Sequence, residues 1–235
     1  MRVLAWNCRG LGDPRAVRAL KGLVNDEAPD IIFLLETKCK TREMEVICRK
    51  LGQINKIFVD CCSDGKRRRG GLAIFWRDSI SLVLKSMSPN HIDLEGLGWE
   101  GNPIWRITGI YGYPNDEEKH KTWSLIANLN NSALPWLCFG DFNEILAQEE
   151  KKGGLLKPQA AIDKFRKAVN ECNFRDLGYT GYPYTWSNNR SGEENVQERL
   201  DRFLANDSWF AIFPWCRIHY LLKRCLLYTS PSPRD

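Results

Sequence analysis

Residues 135–145 read PWLCFGDFNEI. An apolar run of strand length ends in a glycine, a carboxylate and, two places on, an amide, so a buried strand delivers an acid and an amide to its end together. Similar apolar runs recur at RVLAW (2–6), DIIFLL (30–35), KIFVDC (56–61), GLAIFW (71–76), SLVLKS (81–86) and IWRITGIYG (104–112). Helical patterns lie between them. Over 14–27, Asp13 can cap, Pro14 suits the first turn, and Ala16, Val17, Leu20, Leu23 and Val24 form one stripe. A second helix is predicted over 159–172, with Ile162, Phe165, Val169 and Cys172 on one face. Strands alternating with helices define an α/β protein with at least one large sheet.

The chain has 235 residues, 43% of them apolar and nine of them Trp, enough for a sizeable core. Internal repeats and linker-like stretches are absent until the last residues, so one domain over 1–224 is expected. The net charge of +5 is regional: residues 38–77 carry eleven Lys or Arg against four acids. A local excess of +7 suits a polyanionic partner, and it equally suits a solvated face. The nine cysteines are scattered and lack Cys-x-x-Cys spacing, which indicates neither a disulfide framework nor a zinc site. Buried free thiols fit a reducing, intracellular setting, nuclear or cytoplasmic. The N-terminal apolar run is too short for a signal peptide, and no run reaches membrane-spanning length.

Strand ends hold side chains rigidly beside open loops, so polar residues there are candidates for chemistry. Four strands end this way: at Asn7, at Glu36, at Tyr111, and at Asp141 with Asn143. Singly, each has an ordinary reading as a turn residue, a solvated acid or a core tyrosine. The set, in order and each after its own apolar run, is the stronger signal.

The segments AWNCRGLG, LLETKCK, RRGGLAIFW, IYGYPN, GDFNEI, YTWSN and RLDRFL occur here in the order seen in endonuclease/exonuclease/phosphatase domains. The chain therefore resembles the fold family of deoxyribonuclease I and the abasic-site endonucleases, from Val3 to about Leu222. NCRGLG, GDFNEI and RLDRFL look most like the endonuclease domain of plant LINE-type non-LTR retrotransposons. The resemblance implies a four-layered α/β sandwich, two packed mixed sheets flanked by helices. It also implies a Mg²⁺-dependent phosphodiester hydrolase, with Mn²⁺ as the alternative ion, acting on DNA. A reverse transcriptase region would follow in the intact gene.

Hydrolysis of a phosphodiester needs an activated water, charge neutralisation on the nonbridging oxygens and help for the leaving oxygen. Mg²⁺ keeps several waters, so one carboxylate and one amide oxygen can hold it, and Glu36 with Asn7 fits that need. By resemblance Asp141 orients or deprotonates the water, Asn143 holds water and phosphate, and Tyr111 contacts phosphate. Asp201 in RLDRF matches the family aspartate that orients a catalytic histidine. Relatives supply that histidine in a C-terminal Ser-Asp-His motif, which this sequence lacks. His219 matches a noncatalytic position instead. The Ser/Pro-rich stretch 225–235 reads as a non-native or disordered tail, so the final strand and the Asp-His pair are expected to be missing and activity impaired.

The loop DGKRRRGG places Lys66, Arg67, Arg68 and Arg69 in succession. They read either as phosphate contacts or as a charged hairpin tip with Gly70 and Gly71 serving the turn. Three functions remain: a DNA-nicking endonuclease, a phosphatase or phosphodiesterase of the same fold acting on a lipid or small molecule, and an inactive nucleic-acid-binding remnant.

Overall fold

The computed structural model describes residues 1–52, 55–65 and 67–221, so Lys66 and the proposed tail 225–235 lie outside the described residues. The chain divides into two compact units, built on Met1–Ile92 and on Asp93–Leu221.

The first unit runs β1 (Val3–Asn7), α1 (Pro14–Glu27), β2 (Ile31–Leu35), α2 (Thr41–Leu51), β3 (Asn55–Val59), the short β4 (Cys62–Ser63) and β5 (Arg68–Arg69), β6 (Leu72–Trp76) and β7 (Leu82–Ser88). Four strands form a sheet in the order β1-β2-β6-β3, with β1 and β2 parallel and β6 antiparallel to β2 and β3. Every residue of β2 and β6 is buried, which explains why both read as unbroken apolar runs. Helix α1 spans the expected residues, capped where Asp13 accepts the Arg15 N–H, and it ends where Ala28 turns left-handed and donates to the Val24 carbonyl. Helix α2 was not expected. Its stripe of Met44, Ile47, Cys48 and Leu51 has helical spacing, and it joins Ala16 and Leu20 of α1 against Leu4, Trp6, Ile32, Leu34 and Phe75. Full burial of a side chain such as Leu20 contributes about 1.5–3 kcal/mol.

The boundary between units falls inside β8 (His91–Leu97). The second unit continues with β9 (Pro103–Tyr111), α3 (Lys119–Leu129), β10 (Trp136–Asp141), β11 (Lys151–Lys152), α4 (Gln159–Glu171), β12 (Phe174–Asp176), β13 (Thr180–Gly181), β14 (Trp186–Ser187), β15 (Gln197–Glu198), β16 (Asp201–Asn206), α5 (Asp207–Ile212) and β17 (His219–Tyr220). Its main sheet follows the order β12-β16-β10-β9-β8. All six residues of β10, the strand that opens PWLCFGD, are buried. Helices α3 and α4 cover one face, packing Ile126, Leu129, Phe165 and Val169 on Ile110, Trp136, Cys138 and Leu204. Gly140 is obligatory at its place: it sits at φ 136°, and an added Cβ would lie 2.0 Å from the Ile110 carbonyl oxygen of the neighbouring strand.

Each unit thus supplies a mixed β-sheet and a helical layer, the composition of the expected α/β sandwich. Among the described cysteines, Cys8, Cys39, Cys48, Cys61, Cys138 and Cys172 are buried and free, as expected of small buried hydrophobes.

Candidate functional site

In the first unit the chemistry lies at the carboxyl ends of β1 and β2. Their parallel register sets Asn7 beside Leu35, so Glu36 follows directly at the neighbouring strand end. Asn7 Nδ2 donates to Glu36 Oε1 at 2.9 Å, Asn7 Oδ1 accepts the Arg9 N–H at 3.3 Å, and Lys38 Nζ stands 3.7 Å from Glu36 Oε2. Glu36 and Lys38 both adopt positive φ, 51° and 53°, a conformation that costs a side-chain-bearing residue about 1–2 kcal/mol. The neighbouring backbone imposes it. Thr37 and Lys38 donate to the carbonyls of Gly71 and Gly70 at 3.0 Å, and Leu11 donates to the Thr37 carbonyl at 2.9 Å. Gly71 permits this close seating, since a Cβ there would lie 2.5 Å from Thr37 Oγ1.

The donors of this pair are a carboxylate and an amide carbonyl, hard oxygens of the kind Mg²⁺ takes while retaining waters. Lys38 already places a positive charge against the carboxylate. Among the described residues no group of three or more His, Cys, Asp or Glu gathers, so an ion here would draw on Glu36, Asn7 and water. The pair offers Mg²⁺ these two oxygens once the Asn7 amide turns its Oδ1, which here accepts from Arg9, toward the ion. A cleft of about 480 Å³ lined by Val24, Ala28, Leu51 and Trp76 lies at the other end of this sheet, because Trp76 pairs with Ile31.

In the second unit the register aligns three of the predicted residues. Asp141 of β10 pairs with Tyr111 of β9 on one side and with Asp201 of β16 on the other. Directly opposed residues share a face of the pleat with Cβ atoms about 4.5–5.5 Å apart, so a phenol and two carboxylates stand side by side at one sheet end. Asn143, at φ 54°, gives its backbone N–H to Asp141 Oδ1 at 2.9 Å and its side-chain Nδ2 to the Gly112 carbonyl at 2.8 Å. Asn tolerates that left-handed conformation, and the turn fixes the Asp141 carboxylate while tying β10 to β9. Gly112 in turn donates to the Asp141 carbonyl at 2.7 Å. Asp141 is 5% exposed, shielded yet at the rim.

Asp201 is held from both directions. Thr185 Oγ1 accepts its N–H at 2.9 Å, and the Tyr220 hydroxyl donates to its carbonyl at 2.6 Å. His219, beside Tyr220, places Nδ1 2.6 Å from the Thr180 hydroxyl.

Sequence reading missed what lies under RLDRF. Arg199 bonds Glu150 at 2.8 Å and Asp176 at 2.7 Å; Arg202 bonds the same two carboxylates at 2.8 and 2.9 Å. Burial alone would raise both carboxyls, but the guanidiniums outweigh it, Arg202 foremost at Glu150 and Arg199 foremost at Asp176, and hold them below the usual range. Burial also opposes the charge on Arg199, and the Asp176 hydrogen bond overcomes it, so the guanidinium stays protonated. Burial raises the Tyr220 phenol to about 12. A second buried set joins Glu144 of GDFNEI to Lys119 at 2.9 Å and to Lys157 at 3.6 Å. The signal available beforehand was charge inside otherwise apolar motifs.

The basic loop is a hairpin. β4 and β5 pair antiparallel, Arg68 bonds Glu43 at 2.6 Å, Arg69 bonds Asp64 at 3.0 Å, and Arg67 is exposed. Two of its described cations are thus shared with carboxylates.

The profile described as the Endonuclease/Exonuclease/phosphatase family matches residues 4–230. A search of curated protein sequences returned no match. Among solved structures, the 3′ phosphatase NExo from Neisseria, bound to product DNA hairpin, aligns with TM-score 0.65 at 16% identity, over 90% of this chain and 88% of its own. The endonuclease domain of TRAS1, a telomere-specific non-LTR retrotransposon, aligns with TM-score 0.59 at 14% identity, over 88% and 85%. The AP endonuclease LMAP from Leishmania major aligns with TM-score 0.62 at 17% identity, over 88% and 79%.

Proposed function

The chain belongs to the endonuclease/exonuclease/phosphatase family, and from that premise we propose that it is a Mg²⁺-dependent DNA-nicking endonuclease domain of a non-LTR retrotransposon polyprotein. The observation that carries the reading is the row Tyr111–Asp141–Asp201 across three adjacent strands, with Asn143 clipped to Asp141. Asp141 orients the attacking water and accepts its proton, held in place by the Asn143 N–H. Tyr111 donates its hydroxyl to a phosphate oxygen. Asp201 completes the row, and none of the three histidines His91, His120 and His219 is assigned to it, so nicking is expected to be slow. Glu36 and Asn7 would hold the ion, Mg²⁺ or Mn²⁺, which when bound would neutralise charge on the nonbridging oxygens and assist the leaving oxygen.

The TRAS1 endonuclease among the similar structures and the basic segment 38–77 support a DNA substrate. Lys66, Arg67, Arg68 and Arg69 would add sequence-independent, salt-sensitive phosphate contacts, Arg67 being exposed. A reverse transcriptase region of the same polyprotein is the natural partner, because a nick leaves a 3′-hydroxyl that primes synthesis. Among the described residues no helix is long and apolar enough to cross a membrane, and a nuclear or cytoplasmic location follows from the substrate.

A second reading, 3′-phosphomonoester hydrolysis, is favoured by the likeness to NExo. One assay separates them: supercoiled plasmid and a 3′-phosphorylated duplex are incubated with Mg²⁺ or EDTA. Slow nicking that requires Mg²⁺ and vanishes in Asp141→Asn is expected, and DNA binding without any nicking would favour an inactive nucleic-acid-binding remnant. Faster phosphate release from the duplex than nicking, or a preference for a phosphoinositide over both, would replace the nicking assignment.

A further inference from the structure

We infer that Lys38 holds the ion's place on Glu36 in the free protein and turns to a phosphate oxygen of the substrate once the ion is bound. This deepens the metal reading above and rests on it. Both oxygens of Glu36 are engaged: Oε1 accepts Asn7 Nδ2 at 2.9 Å, and Oε2 faces Lys38 Nζ at 3.7 Å. The first is a hydrogen bond, and the second is a charge contact longer than one. An ammonium held by charge alone leaves without breaking a directed bond.

The backbone sets the lysine there. Lys38 follows Glu36 by two places, and both are left-handed, at φ 53° and 51°. Buried Thr37 between them donates to the Gly71 carbonyl, and the Lys38 N–H is tied to the Gly70 carbonyl at 3.0 Å. The lysine stem runs past Gly10, at φ 119°, where an added Cβ would stand 3.5 Å from Lys38 Cδ. It is thus guided along the segment that follows Asn7. The side chains of Lys38 and Glu36 are 37% and 21% exposed, which leaves the ammonium a route into water and an ion a route to the carboxylate. Arg68 lies at the same turn and donates to the Lys38 carbonyl at 3.2 Å, but the same guanidinium nitrogen is bound to Glu43 at 2.6 and 2.8 Å. Lys38 is therefore the cation that answers to a change of charge at Glu36.

A divalent ion on Glu36 reverses the force on that cation. Ammonium and carboxylate attract at 3.7 Å, whereas an ammonium and a dication at similar range repel. The four-carbon stem lets the ammonium swing away, and a compact charge with three donors suits a phosphate oxygen. The phosphodiester is the anion that a bound ion would itself draw to this place. Ion and substrate are coupled as a result. The ion has to displace the lysine in the free protein, and the substrate binds the displaced lysine, so each raises the affinity of the other.

The test uses the whole chain at constant ionic strength. Mg²⁺ titrated calorimetrically into Lys38→Met should bind about fivefold tighter than into wild type, because the competing charge is gone while the stem remains. Lys38→Arg should stay within about twofold of wild type, since it keeps the charge. A merely structural lysine would give the reverse, weaker uptake as the turn loosens. Affinity for a short labelled duplex is then read by anisotropy, before turnover, with Mg²⁺ and with EDTA. The gain from Mg²⁺ should be about threefold smaller in Lys38→Met than in wild type. Unchanged or weaker Mg²⁺ uptake in Lys38→Met, or an equal gain in both chains, would overturn the hand-over. Uptake lost in Glu36→Gln but unaltered in Lys38→Met would end the hand-over alone, while no uptake by the wild-type chain would end the metal reading with it.

Discussion

Replacing Arg202 by Met keeps most of the side chain's volume and removes its charge from the interior of the second unit. The guanidinium is fully buried and bonds Glu150 at 2.8 and 3.1 Å, Asp176 at 2.9 Å and the Arg199 carbonyl at 3.0 Å. After the change Glu150 keeps Arg199 and the Leu146 N–H, and Asp176 keeps Arg199 and the Gly178 N–H, so two carboxylates share one guanidinium. Breaking a buried pair from one side destabilises by about 3–5 kcal/mol. The lower end applies here, since both carboxylates retain partners, and one Arg202 nitrogen, Nε, makes no hydrogen bond to be lost. A loss of about 3 kcal/mol should lower the melting temperature by roughly 10 °C.

The pH dependence gives the signature. Glu150 and Asp176 are held below their usual range, so the network's stabilisation is full above the unfolded carboxylate pKa and fades as pH falls through the folded value. In the variant both carboxyls shift back upward, and protonating them relieves the unpaired charge. Urea unfolding followed by tryptophan fluorescence should therefore show a gap of about 3 kcal/mol at pH 7.5 that narrows near pH 4. Adding Glu150→Gln to the variant should recover part of it at pH 7.5. A gap under about 1 kcal/mol at neutral pH, or one that does not change with pH, would refute the account.

Gly71→Ala should destabilise the first unit by about 2 kcal/mol, because φ is 88° and the new methyl meets Thr37 Oγ1; an unchanged urea midpoint would contradict this. Glu36→Gln should remove Mg²⁺-induced thermal stabilisation while Arg67→Ala keeps it, read by calorimetry with and without the ion; equal shifts in both would exclude Glu36 as a ligand. Among the described cysteines, brief alkylation of the native chain should label exposed Cys62 first and spare Cys8 and Cys39, whose thiols burial raises to about 12 and 11; rapid labelling of Cys8, read by peptide mass spectrometry, would show that the core opens.

The sequence by itself determined the elements whose cause is local. Helix α1 falls on 14–27 as capping and stripe require, α4 falls on Gln159–Glu171, and the all-apolar runs of β2, β6 and β10 became fully buried strands. It also placed Asn7, Glu36, Tyr111 and Asp141 at strand ends. Strands β8 and β16 stayed hidden because their patterns contain charges, and those charges are neutralised from far away: Asp93 by Arg106, thirteen residues on, and Arg202 by Glu150 and Asp176. Only the tertiary structure decided that Arg199 and Arg202 lock the sheet while Asp201 joins the row. The ladder between strands tens of residues apart sets which residues stand opposite one another, and a shift of one place would send Tyr111 or Asp201 to the other face of the sheet. A single strand end is therefore legible from its own residues. The alignment of three is a property of their shared hydrogen bonds.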